Sequence, residues 1–407
     1  MRNVLRLFAA ALVGAGLIVP SVVRAQGGAL PAQQPPPGWV FTPSMTVGGT
    51  WDDNVLLVNP GTNPPADYGS PITPAANLSY TGKYTQFSTG YSGSFLRYAT
   101  LTELNSLQQS FHAMAERRAN ARLTFFGQQS FNASPTTDVL QLAGVPFFRT
   151  GSRSFAATGG IHAALSKRVA LKSTYVLRAV DFDTNAFTSN QLQGGHAHDI
   201  ITSIDYSLSR RLTVGGEYQF ERAIVNGRMI AGVAGPEDRF NIQTTMATAQ
   251  YQVSAGTTID GAVGVAMLGA GLTHEARTGP EWHAGVSHKT GRGVVSASYL
   301  RSYIPSFGFG GTLQNQQWAA YVHMPLGLTR TYVDGGITWL HNDPLDTNQP
   351  SLQSSWISTA LGYSATRWLK LEGFYGRTQQ DSQRIGGQLE RNQVGFRVVA
   401  VKPLRLQ

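Results

Sequence analysis

Two short runs in the chain have the residue types and spacing that could hold a metal ion. Asp52-Asp53-Asn54 clusters side-chain oxygens, the donors a hard divalent cation wants. His196-x-His198-Asp199 places two imidazoles at alternate positions, where a strand would present both on one face. Neither run completes a site. The Asp-Asp-Asn run is equally the composition of a turn whose side chains bond the nearby backbone, and the histidine pair lacks a third ligand at metal spacing. The reading is therefore structural in both places: a turn at Asp52, Asp53 and Asn54, and two polar positions at the outer rim of a strand. His283 and His288 fall on opposite strand faces and form no pair. No metal and no cofactor are predicted. Hydrolysis would need a nucleophile, a histidine and an orienting partner, and no Gly-x-Ser-x-Gly elbow occurs in a strand–turn–helix context. The chain does not read as an enzyme.

A third set is larger and more informative. Lys83, Glu116, Arg118, Arg122, Lys172, Arg178, Asp205, Glu217, Glu221, Lys370, Glu372, Arg391 and Arg397 share the strand parity opposite to the apolar residues around them. Rows of opposite charge facing one another across an aqueous pore select solutes by charge and hydration. Taken singly, such a residue is a charge paired across a wet wall; as a group they argue for a water-filled interior.

The elements that must carry these residues are two-faced strands. Leu212, Val214, Gly216, Tyr218 and Phe220 alternate with Thr213, Gly215, Glu217, Gln219 and Glu221. Leu171, Tyr175 and Leu177 alternate with Lys172, Thr174 and Arg178 in the same way. A strand sends the two sets to opposite faces, one fit for lipid and one for water. The pattern holds from Phe41 to Val401. Short connections (Thr85-Gln86, Ser166–Arg168, Ser209–Arg211, Gly291–Gly293, Thr366-Arg367) alternate with long ones (Asp52–Pro74, Asn132–Ser152, Asp183–Gly195, Val225–Arg239, Ile304–Gln314, Asn342–Leu352), the pattern of periplasmic turns and outer loops.

The composition agrees. The 407 residues include 45 glycines, 10% aromatics, no cysteine and only 14% charged residues, against about 25% in an average soluble domain. No apolar run of about 20 residues within the patterned region suggests a spanning helix. At the N-terminus Arg2 and Arg6 precede an apolar stretch, Leu7 to Val19, and Val23-Arg24-Ala25 has the small-x-Ala form of a cleavage site, so residues 1–25 read as a signal peptide. Residues 26–40, with Pro35-Pro36-Pro37, read as a Pro/Gln-rich periplasmic tail. The formal charge is +9, or +6 once Arg2, Arg6 and Arg24 are removed. This basic charge is scattered, which argues against nucleic acid and for anionic lipopolysaccharide or an anionic solute.

The turn sequence Leu-Ser-Lys-Arg at Leu165–Arg168 recurs as Leu-Ser-Arg-Arg at Leu208–Arg211, about 43 residues on, and in a third form at Ala365-Thr366-Arg367. A propeller could share that period but would lack the long–short alternation of loops. The prediction is an all-β fold: a closed antiparallel transmembrane β-barrel of about 18 strands, with 16 as the alternative, spanning 41–401 and followed by a C-terminal tail, 402–407. The first strand, about Phe41–Trp51, should pair with the last, about Leu389–Val401, because an unpaired edge cannot be hydrated in lipid. Trp51, Trp318, Trp339, Trp356 and Trp368 fit interfacial girdles.

The opening strand and its exit, Thr42-Pro43-Ser44-Met45-Thr46-Val47-Gly48-Gly49-Thr50-Trp51-Asp52-Asp53-Asn54-Val55, resemble the start of outer-membrane porins of the beta-barrel porin-2 family, and the Leu-Ser-Arg-Arg-Leu hairpin is similar to that family's periplasmic turns. The resemblance implies an outer-membrane barrel associated with solute passage or polysaccharide export, and it supplies no catalytic residues. The expected location is the outer membrane of a Gram-negative bacterium. The expected partners are outer-membrane lipids and lipopolysaccharide, the barrel assembly machinery, and small solutes or polysaccharide, with no nucleic acid. A porin-like channel for passive diffusion of small hydrophilic solutes is the leading function, narrowed by an inward loop such as Asp52–Pro74 or Asn132–Ser152. An exopolysaccharide exporter, a structural barrel with a plugged lumen, or a lipid-modifying barrel with Ser, His and acid at its outer rim are the alternatives.

Overall fold

The computed structural model describes residues 37–183, 192–227, 229–230, 233–272, 274–327, 330–346, 349–382 and 387–406. The predicted signal peptide, most of the predicted periplasmic tail, most of the Asp183–Gly195 connection and Gln407 lie outside the described residues.

Nine long strands occupy the first half of the chain: β1 (Gly38–Asp52), β2 (Asp67–Thr81), β3 (Thr85–Tyr98), β4 (Ser106–Arg118), β5 (Leu123–Ser134), β6 (Ser152–Ala164), β7 (Val169–Phe182), β8 (Gly195–Ser207) and β9 (Leu212–Val225). Two short strands, β10 (Met229–Ile230) and β11 (Val233–Ala234), form a separate hairpin in the following connection. Nine more long strands complete the ring: β12 (Asp238–Gln252), β13 (Thr257–Leu268), β14 (Arg277–Lys289), β15 (Val294–Pro305), β16 (Thr312–Pro325), β17 (Thr331–Pro344), β18 (Leu352–Ser364), β19 (Leu369–Ser382) and β20 (Gly387–Val401). A last short strand, β21 (Leu404–Leu406), follows.

Each long strand pairs antiparallel with its neighbours in sequence, and β1 pairs with β20 from Ser44↔Val401 to Asp52↔Gln393. The sheet is closed, with eighteen long strands, as the hydrophobic alternation predicts. Closure leaves no long edge to be hydrated. The C-terminal segment reads as a tail in the sequence, yet it extends this seam. β21 pairs Leu404–Leu406 with Phe41–Trp39, satisfying the part of β1 that lies beyond the reach of β20. Its pairing also draws the start of the barrel back from Phe41 to Gly38.

The recurrent periplasmic turn has one physical cause. Ser166 Oγ accepts from the backbone N–H groups of Arg168 (3.1 Å) and Val169 (3.0 Å). Ser209 Oγ does the same for Arg211 and Leu212, and Thr366 Oγ1 for Trp368 and Leu369. A hydroxyl two and three residues ahead of those amides satisfies donors that a tight turn leaves unpaired. Thr85 and Gln86, read as a turn in the sequence, instead open β3, and the turn is 82–84. Likewise β2 begins at Asp67, well before the predicted end of the loop at Pro74. Pro71 and Pro74 suggest loop because proline cannot donate to a ladder. The barrel tolerates them because the ladders are interrupted there: Pro74 falls in the gap of the β2–β3 pairing between Ile72 and Ala75, and Pro71 in the gap of the β1–β2 pairing between Gly69 and Ile72.

The outer face is apolar: Ile200, Ile204, Val263, Ile337, Leu361 and Phe396 point away from the lumen and are exposed. The dry core lies on the other side of the wall. Val180 and Phe182 of β7, Ala223 and Val225 of β9, Phe240 and Ile242 of β12, and Ala266 and Leu268 of β13 pack inside the barrel, near the ends of their strands that bear the long loops, against Val145 and Phe307 from loops 135–151 and 306–311.

Candidate functional site

The lumen has two halves of different character. In the half carrying the long loops, 135–151 turns inward, as expected for the Asn132–Ser152 connection; Leu140, Val145 and Phe147 are each 3% exposed or less. Gly144 turns the chain at φ +73°, a left-handed conformation that side chains with a Cβ resist. Gly308, at φ +146°, lets loop 306–311 pass close to this segment: a Cβ there would lie 3.1 Å from Val145 Cα. Gly308 also exchanges two backbone hydrogen bonds with Gln193 of the β7–β8 connection (2.7 and 2.9 Å), so three loops meet over the lumen.

The inward loop is fixed to the wall by polar groups in a dry setting. Arg391 of β20 donates from Nε and Nη2 to both oxygens of Asp52 (2.6–3.1 Å) and from Nη1 to Asp138 Oδ2 (2.8 Å). All three residues are buried. Gln380 of β19 accepts from the Phe147 N–H (2.8 Å) and donates to the Val145 carbonyl (3.2 Å). Trp356 of β18 donates from its indole nitrogen to the Asp138 carbonyl (3.0 Å) and meets the Phe147 ring edge-on, 5.2 Å between centroids. Trp356 thus faces inward and clamps the loop, a correction to its reading as an interfacial girdle residue. Asp138, Gln380 and Arg149 carry no signal in the strand alternation, because a loop that folds back across a barrel leaves no periodic trace. Arg149 donates to the carbonyls of Val55 (2.9 Å) and Leu104 (2.7 Å), joining that loop to two others.

The Asp52-Asp53-Asn54 run is consumed by protein partners. Asp52 holds Arg391. Asp53 accepts from Asn392 N–H (2.6 Å) and Nδ2 (2.7 Å). Asn54 donates to the carbonyls of Val58 (2.7 Å) and Glu390 (2.9 Å) and accepts from the Val58 N–H (3.0 Å). Asp52 ends β1, Asp53 and Asn54 open the connection that follows, and together the three rivet the seam between β1 and β20. Among the described residues no group of three His, Asp or Glu side chains is arranged to hold a metal ion.

The periplasmic half is lined by charge. Eleven of the thirteen predicted inward residues stand on the lumenal face of strands. Lys83 and Arg122 do not: both are exposed in the turns 82–84 and 119–122, at the periplasmic mouth. Glu116 and Arg118 lie near that mouth on β4. Arg178 pairs with Glu221 at 2.6 Å. Arg397 pairs with Glu372, which also accepts from the Tyr332 hydroxyl, and Lys370 sits over the Tyr332 ring. Lys172 shares the lumenal face of β7 with Arg178, beside Asp205 and Glu217.

The two sides of the ring differ in charge balance, one acidic and the other neutralised by pairing. The inward face of β8–β14 carries Asp199, Asp205, Glu217, Glu221, Asp260 and Glu281, with no lysine or arginine in its mid-wall; the nearest are Lys172 and Arg178 on β7. On the opposite side, half a turn away, Lys370, Arg391 and Arg397 are set against Asp52, Asp138 and Glu372. So the net charge of the whole chain is basic, while one wall of the lumen is acidic. Asp199, Asp260 and Glu281 are absent from the predicted lumenal set, although Asp199 shares the parity of Asp205 on β8, which places it on that face.

A closed antiparallel ring of eighteen strands with an apolar outer face is the architecture of an outer-membrane β-barrel, a protein of the Gram-negative outer membrane. No protein-family model matches the chain, and no curated protein matches it. Solved structures do. It is similar to OccAB4 of Acinetobacter baumannii (8% identity, 90% of this chain and 98% of that chain covered, TM-score 0.45). It is also similar to OpdK of Pseudomonas aeruginosa, solved with vanillate (9% identity, 90% and 99%, TM-score 0.43), and to the alcaligin outer-membrane receptor FauA of Bordetella pertussis (10% identity, 89% and 76%, TM-score 0.45).

Proposed function

We propose that the barrel is a channel for passive passage of small hydrophilic solutes, with loop 135–151 as its constriction. The observation that carries the reading is the division of the lumen: a charged inner face that belongs in water, narrowed in its outer half by inward loops, of which 135–151 is held to the wall at Asp138, Val145 and Phe147. Barrels of 16–18 strands are wide enough for an aqueous path, unlike eight-stranded ones filled by side chains. The acidic wall of β8–β14 favours cationic solutes over anions, because a charged, narrow, low-dielectric passage concentrates counter-ions. Passage requires no turnover chemistry from the wall.

A second reading, a barrel closed at its outer half, is favoured by the apolar cluster around Val145 and Phe307. Conductance of the purified protein in planar bilayers separates the two. Discrete steps that persist across voltages support the channel. A correctly folded barrel that never conducts overturns it and leaves the closed reading.

A further inference from the structure

The His196-x-His198-Asp199 run is not absorbed by the lumen as a unit, because strand parity divides it. Asp199 points inward and is 4% exposed, whereas His196 and His198 stand on the lipid-facing side of β8. Directly across the ladder from His198 is Arg222 of β9, and from His196 is Ile224, which pairs in turn with Arg239 of β12. The patch is ordered. Tyr175 of β7 meets His198 Nδ1 through its hydroxyl (2.6 Å), which engages that nitrogen and leaves Nε2 for another partner. The His196 ring meets His198 edge-on, 5.4 Å between centroids.

The acids nearby are already engaged: Glu237 with Arg239 (2.7 Å), and Asp181 and Asp183 with Arg153 (4.0 and 2.8 Å). Arg222 is exposed and, among the described residues, has no hydrogen-bond or ion-pair partner. Its height matters. The outward face below it runs through Phe220, Ile204 and Val214 to Tyr206, which marks the periplasmic interface. Eight residues separate Tyr206 from His198, roughly 20 Å along the membrane normal for a tilted strand. That span is close to the full apolar band of about 25 Å, so the His198–Arg222 row meets the headgroups of the outer leaflet.

A basic row with an unpartnered arginine, at headgroup depth on the outside wall, is complementary to a phosphate monoester carried on a lipid. We propose that His196, His198 and Arg222 form a binding site for the phosphate of a phosphorylated glycolipid of the outer leaflet, the lipid A moiety of lipopolysaccharide. Arg222 supplies the forked donors that suit phosphate oxygens, His198 Nε2 supplies a further donor, and Tyr175 holds that ring in place. The site lies outside the lumen and stands whether or not the barrel conducts.

The test is binding of the detergent-purified, folded barrel to bis-phosphorylated lipid A, read by native mass spectrometry and by titration. Chemically dephosphorylated lipid A and inorganic phosphate serve as comparison ligands. Arg222→Ala and the double variant His196→Gln/His198→Gln should each bind lipid A about 10-fold more weakly, the loss expected for a charge-assisted hydrogen bond. Arg97→Ala, which removes an arginine elsewhere on the rim, should bind as the unaltered protein does. Folding of every variant is checked by heat-dependent gel mobility, and Arg222→Lys should recover part of the affinity. Three results would overturn the proposal: equal binding by Arg222→Ala, equal binding of dephosphorylated lipid, or inorganic phosphate competing as well as lipid A.

Discussion

Arg391, on the last long strand, holds Asp52 at the end of the first strand and Asp138 in the inward loop, through separate nitrogens at 2.6 and 2.8 Å. One guanidinium thus joins the closing seam of the barrel to the segment that fills its outer half. Both carboxylates are more than nine-tenths buried, so the cation is the group that makes their burial tolerable.

Arg391→Met leaves Asp52 and Asp138 buried without a counter-charge. The expected cost is about 3–5 kcal/mol, read as a lower midpoint in guanidinium unfolding of the barrel in lipid. The triple variant Asp52→Asn/Asp138→Asn/Arg391→Met should regain most of that loss, because no unpaired charge remains. A triple variant as weak as the single one would mean that the salt bridge is not the source of the effect.

The seam makes a second prediction. Ending the chain at Val401 deletes β21 and exposes the ladder edge of Trp39–Phe41. An unpaired edge near the membrane is unfavourable, so the truncated chain should fold into lipid vesicles in lower yield and lose heat resistance. Yield and heat resistance equal to those of the full chain would show that pairing with β20 alone closes the barrel.

Much of this architecture was legible in the chain, and the reason is geometric. In a barrel every long strand meets lipid on one face and the interior on the other, so period-two alternation survives from Phe41 to Val401 and closure follows from the absence of a tolerable edge. The repeated Ser or Thr ahead of the tight turns was visible because it bonds only to its own hairpin. What was not legible depends on contacts across the lumen. Gln380 meets Phe147 from 233 residues away, and Asp138 meets Arg391 from 253; no local pattern encodes either. Trp356 looked interfacial because its position near a strand end is shared by girdle residues, yet its parity sends it inward.

The turn hydroxyls offer a local test. Ser209→Ala removes the acceptor for two backbone N–H groups, at 3.1 and 3.0 Å, and should cost about 1 kcal/mol. Ser209→Asp keeps an acceptor and should cost less. Equal loss in the two variants, measured by unfolding in lipid, would assign the effect to the strand and not to the turn.

Ion selectivity tests the acidic wall. With unequal potassium chloride on the two sides of a bilayer, the reversal potential should show a preference for potassium over chloride, strongest at low salt, where screening is weakest. Asp205→Asn/Glu217→Gln should reduce the preference by leaving Lys172 less balanced. A chloride-preferring channel would contradict the reading of the β8–β14 wall.

The two-faced wall itself is tested most directly by side-chain accessibility, and the chain has no cysteine of its own to interfere. Glu217 and Tyr218 are neighbours on β9 that face opposite ways, Tyr218 outward and 44% exposed. Glu217→Cys and Tyr218→Cys, each folded into lipid vesicles, are treated with a water-soluble, membrane-impermeant maleimide. Labelling of Glu217→Cys with protection of Tyr218→Cys is the predicted result; equal labelling, or the reverse, would contradict a barrel that is wet within and lipid-covered outside.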